Sequence, residues 1–189
     1  MSKFRDRYFE DYVAQPYTTP DGKVKVEYVY RGNWIQWGVE GSANRRKLLY
    51  GLLEAVSIII FFFASTREVK FNALKSVAGF GVASYVPWIL EVWGVVRFCI
   101  GKTFITEFDY KTIDWQITVG CLIRIALLLI AAICGAVSSI GSGGMDMATV
   151  FVAAGLLVSA ALSAVIFRLQ RKIGYRSYKI INGKPGPEN

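Results

Sequence analysis

Four long apolar stretches occupy most of the chain after residue 47, and they constrain it more than any other feature. Hydrocarbon offers a bare backbone no hydrogen-bond partner, so a stretch of this kind crosses a bilayer as a helix. The expected spans are residues 48–65, 72–100, 117–140 and 147–169. The first is roughly 18 residues long, near the minimum for a crossing. The second is longer than a bilayer needs and must tilt, protrude or bend. Pro87, which lacks a backbone donor, is its natural kink point. The fold class that follows is an all-α integral membrane protein. It is a four-transmembrane-helix bundle with a small cytoplasmic β element from the N-terminal leader and, in part, the C-terminal tail.

Composition agrees. The chain is 53% hydrophobic and carries a net charge of +8. Its Lys and Arg collect at the ends of the apolar runs, which points to anionic lipid headgroups rather than nucleic acid. With the N-terminus inside, the outer segments hold only Arg67, Lys70 and Lys75 among the basic residues. The positive-inside rule then places both termini in the cytoplasm of a cell-membrane protein. The Gly-rich linker of residues 139–144 makes spans three and four antiparallel neighbours. A long polar leader precedes the first apolar run, so no cleaved signal peptide is expected.

The leader of residues 1–47 has its own pattern. Val24, Val26, Tyr28 and Tyr30 alternate with Lys23, Lys25, Glu27 and Val29, and Arg31-Gly32-Asn33 then offers a turn before Trp34–Trp37. Period-two alternation with a turn signal predicts a β-hairpin over 23–39. Residues 176–183 of the basic tail, 170–189, predict a further strand, and the last residues predict disorder. Tyr28, Tyr30, Trp34 and Trp37 are the candidate interfacial or partner-binding surface.

Charges inside the apolar runs mark the candidate site. Glu54, Glu91 and Arg124 lie on three different spans. At ~1.5 Å rise per residue, all three stand roughly 10 Å inside the cytoplasmic boundary. Each would cost roughly 2.5–3.5 kcal/mol near a helix centre if it faced lipid, so they are expected to meet. Arg97 either joins this cluster or reaches to headgroups. The expected role is a buried ion pair that fixes helix register; an ion or proton site is the alternative, because two carboxylates and one guanidinium leave one negative charge. Gly79, Gly135, Gly155, Ser159 and Ser163 are small residues expected at close helix contacts.

Chemistry-bearing motifs are absent. The chain has no His, and its three Cys, Cys99, Cys121 and Cys134, are not in metal-ligand spacing. No phosphate-binding loop, nucleophile elbow or dinucleotide fingerprint occurs. No cofactor, metal or catalytic residue is expected, and Glu107–Asp114 reads as a solvated loop. The expected function is a non-catalytic subunit or scaffold of a larger membrane complex such as a transporter, bound to a protein partner or a second copy. A small oligomeric ion or proton channel using Glu54, Glu91 and Arg124 is the alternative.

Overall fold

The computed structural model describes residues 11–37, 43–102, 104–141, 144, 146–181 and 184–187. They form two compact units. One takes the described residues of Met1–Gly41, Lys102–Lys111 and Gly174–Asn189; the other takes those of Ser42–Gly101 and Thr112–Ile173.

The second unit is mostly helical, with four helices long and apolar enough to span a membrane. Helix α1 covers Ala43–Ser65. A short α2, Lys70–Ala73, leads into α3, Lys75–Ala83, and α4, Tyr85–Ile100. Helix α5 runs from Glu107 to Gly141 and α6 from Met147 to Arg171. Side-chain contacts fix their directions. Tyr50 meets Gln170 and Ser57 meets Ser159, so α1 and α6 are antiparallel. Asp114 meets Gln170 and Arg124 meets Ser159, so α5 and α6 are antiparallel too. The Tyr50 ring meets Phe98 at a tilt and Phe61 meets Tyr85 edge-on, which sets α4 antiparallel to α1. The result is an up-down-up-down bundle. Its apolar core gathers Phe61, Phe71, Leu128, Val152 and Leu156.

Local chemistry explains the breaks. Pro87 has no N–H to give the Ala83 carbonyl. The helix is interrupted at Ser84, three residues before the proline, and the Ser84 hydroxyl donates to the Gly81 carbonyl at 2.6 Å. The expected kink therefore lies one turn ahead of Pro87 itself. Residues 72–74 do not belong to the second span: Leu74 is extended (φ −65°, ψ 127°) and separates α2 from α3. Asn72 turns back to donate to the Ala64 carbonyl at 2.8 Å, near the end of α1. Helix α6 starts on Asp146, whose carboxylate accepts from Thr149 N at 2.8 Å.

Glu107–Asp114 is helix rather than loop. Thr106 caps it: Asp109 N donates to Thr106 Oγ1 at 3.1 Å, and Glu107 pairs with Lys111 one turn on. The expected start of span three at residue 117 thus lies ten residues inside α5.

The first unit holds two sheets. Strands β1 (Tyr12–Thr18) and β2 (Val24–Tyr30) form an antiparallel hairpin. Strands β3 (Trp34–Trp37), β4 (Phe104–Thr106), β5 (Tyr175–Ile181) and β6 (Lys184–Pro187) form a second sheet in the order β4-β3-β5-β6. This corrects the expected pairing over 23–39, of which 38 and 39 lie outside the described residues. The two runs are strands, but they belong to different sheets. The hairpin turn is Thr19–Lys23, where Gly22 adopts φ +76° behind Pro20-Asp21. Arg31 N donates instead to the Asp11 carbonyl, and Asn33 holds Glu107 through both backbone and side chain. The expected tail strand is β5, paired with β3. Residues 184–187, expected to be disordered, are the edge strand β6.

Candidate functional site: a buried polar layer

One residue gathers the polar groups of the bundle. Arg124 on α5 is 0% exposed. Its Nη1 donates to Glu91 Oε2 of α4 at 3.1 Å and to Ser163 Oγ of α6 at 3.2 Å. Its Nη2 donates to Ser159 Oγ at 2.9 Å. Glu54 Oε1 of α1 stands 3.7 Å from Nη1, and the guanidinium lies over the Phe61 ring. Ser163 Oγ also donates to Glu91 Oε2, and Ser57 Oγ contacts Ser159 Oγ at 3.1 Å. Glu91 is 0% exposed and Glu54 is 3% exposed. All four long helices therefore contribute to one sealed layer.

Glycine lets the layer form. A Cβ on Gly120 would stand 2.7 Å from Glu91 N and 2.9 Å from the Pro87 carbonyl. One on Gly94 would stand 3.1 Å from Ile117 N. The α4 and α5 backbones touch there, and that contact sets Glu91 beside Arg124. Small residues replace a missing hydrophobic drive at such contacts.

Other expected site residues are placed variously. Arg97 is half-buried on α4, six residues and about 9 Å along the axis from Glu91. Ser159 and Ser163 are more than small residues, since both bond the guanidinium. Gly155 does face α1: a Cβ there would meet Ala64 Cβ at 2.9 Å. Gly135 seats the Phe71 ring of α2. Gly79 is not at a close helix contact among the described residues, because a Cβ there would meet none of their atoms on neighbouring elements within 4 Å. On the sheets, Tyr28 is exposed. Tyr30 is buried instead, with its ring edge-on to Trp34 and its hydroxyl donating to the Asn33 carbonyl at 3.1 Å. Trp34 is half-buried. The Trp37 side chain lies outside what the structure describes.

A second polar chain was not expected from the sequence. Buried Tyr50 donates to Gln170 Oε1 at 3.4 Å, and Gln170 Nε2 donates to Asp114 Oδ1 at 2.9 Å. Lys47 Nζ donates to the Gly101 carbonyl at the same end of the bundle. Tyr50, near the start of the first span, is thus a core residue. The readable signal was its hydroxyl standing one turn from Glu54 on the same helix.

Among the described residues, no group of three or more His, Cys, Asp or Glu side chains is placed to hold a metal ion. A surface groove of about 610 Å³ is lined by Lys47, Gly51, Ala55 and Cys99, and no residue of the Arg124 layer lines it. No protein-family model, curated protein or solved structure matches this chain.

Proposed function

We propose that this is a multi-pass protein of the cell membrane, with both termini cytoplasmic. We propose that it acts as a non-catalytic subunit or scaffold of a larger membrane complex such as a transporter, and that its β1–β2 hairpin meets a protein partner. The apolar outward faces of the four helices support the membrane reading: Leu52, Phe62, Ile89, Ile133 and Phe151 are all exposed.

The observation that carries the partner reading is the hairpin. Residues paired across an antiparallel ladder share a face. In this register one face reads Tyr12 with Tyr30, Ala14 with Tyr28, Pro16 with Val26 and Thr18 with Val24. Every side chain on it except Thr18 is apolar or aromatic. Val24 is 70% exposed, Val26 56% and Tyr28 64%. A two-stranded ribbon with such a face is marginal by itself and gains by being covered.

The channel alternative needs a wet path beyond the polar layer. The core cluster that includes Phe61, Leu128 and Leu156 is apolar and closely packed, which weighs against it.

Purification from native membrane in mild detergent tests the proposal. Wild type is expected to retain a stoichiometric protein partner. Val26→Asp with Tyr28→Asp, both at exposed positions, is expected to lose it while the helical unit keeps its thermal unfolding. Unchanged partner recovery in that variant, or a wild type that purifies alone and conducts ions in proteoliposomes, overturns the reading.

A further inference from the structure

The Arg124 layer holds more acid than base. Glu54 and Glu91 face one guanidinium, and among the described residues the other groups turned toward it are neutral: Ser57 on α1, Cys121 on α5, and Ser159 and Ser163 on α6. Donors are unevenly shared. Glu91 Oε2 receives both Arg124 Nη1 and Ser163 Oγ. Among the described residues, no hydrogen-bond donor reaches Glu91 Oε1 or either oxygen of Glu54, although all three are buried. The two carboxyl groups are side-chain neighbours. An ionised carboxylate in such a place, with no donor on either oxygen, is strongly unfavourable. Like charges at one buried site do not both ionise.

We propose that Glu54 and Glu91 bind one exchangeable proton between them, making the layer a neutral proton-binding site. The proton gives one Glu54 oxygen a hydrogen to donate toward Glu91 Oε1, so one hydrogen bond engages two of the three bare oxygens. Glu91, closer to Arg124 and bonded by Ser163, keeps the charge, and Glu54 carries the proton. Protonation adds one proton to one carboxylate, and no other bond changes. The site uses no residue of the hairpin and does not depend on the partner reading above.

The charge count gives a distinctive test. Remove either acid and one carboxylate faces one guanidinium, so no proton remains to be held. Infrared spectra of the full chain in lipid nanodiscs at neutral pH, in sodium-free buffer and in H₂O and D₂O, read this directly. Wild type is expected to show a protonated carboxyl C=O band that shifts in D₂O. Glu54→Gln is expected to abolish it, and so is Glu91→Gln; Glu68→Gln, outside the layer, is expected to keep it. Glu54→Gln matches the neutral acid in shape, so it is expected to fold, and its spectrum alone suffices if Glu91→Gln does not. Absence of the band in wild type, or its survival in Glu54→Gln, overturns the proposal. Loss of the wild-type band on adding sodium also overturns it, in favour of a metal-cation site.

Discussion

Arg124 shows how far a single residue's chemistry reaches. A guanidinium carries five donors in a planar fork and stays charged, so in an apolar run it must collect acceptors from its neighbours. Its acceptors come from α4 and α6, with Glu54 of α1 in ionic range. The acids were readable because a charge in an apolar run is rare and costly. The serines were readable only as small residues, because sequence alone does not say which face of α6 meets α5. Tyr30 makes a second point at this scale. Burial, with the Asp11 charge adding to it, raises its phenol from the ordinary 10.0 to about 12. The folded state holds the neutral form. The Tyr30 contribution is therefore intact below pH 10, where even the unfolded phenol is protonated, and is lost as pH rises through about 12. Denaturant midpoints of the first unit are expected to fall across that window. Tyr30→Phe is expected to remove that component of the fall, and an unchanged pH profile in the variant would contradict the account.

At the scale of elements, backbone proximity decides what the side chains can do. Gly120 and Gly94 bring α4 onto α5, and Glu91 lies on that face of α4. Gly120→Ala places a methyl against Glu91 N and the Pro87 carbonyl, both backbone atoms that a rotamer change cannot clear. Such overpacking is expected to destabilise by about 1–3 kcal/mol. Gly79→Ala meets open space inside α3 and is expected to stabilise by roughly 0.5–1 kcal/mol. Equilibrium unfolding of the two variants in detergent checks the pair, and a reversed order would refute the packing. Elements were legible where one signal dominated. Hydropathy marked the four long helices, and alternation marked β2. It failed where two signals competed. Pro16 and Pro20 argue against helix ahead of β2 but do not name a strand at 12–18, where a two-stranded sheet makes every strand an edge that tolerates proline. The Thr106-x-x-Asp109 cap was present in the sequence, but the three acids of 107–114 outweighed it and hid the first turns of α5. Pairing partners of β3, at residues 104–106 and 175–181, are far away in sequence, and no local pattern names them.

For the whole molecule, the polar layer and the apolar surface are two sides of one constraint. Four helices that show hydrocarbon-like faces outward hold their charged groups inward, where only mutual pairing offsets desolvation. A bundle of this kind is specified less by apolar contact than by the single register in which Arg124 finds Glu91, Ser159 and Ser163 together. A double-mutant cycle on Glu91 and Arg124, with each changed to Leu and unfolding measured in bilayer-like lipid, tests that directly. Arg124→Leu leaves Glu91 buried without its guanidinium and is expected to lose about 3–5 kcal/mol, whereas Glu91→Leu leaves Arg124 with Glu54 still in ionic range and is expected to lose less. The double variant is expected to lose far less than the sum, a coupling of roughly 2 kcal/mol or more, or to fold where the singles do not. Losses that add to within about 0.5 kcal/mol would mean that the two residues do not hold the bundle together.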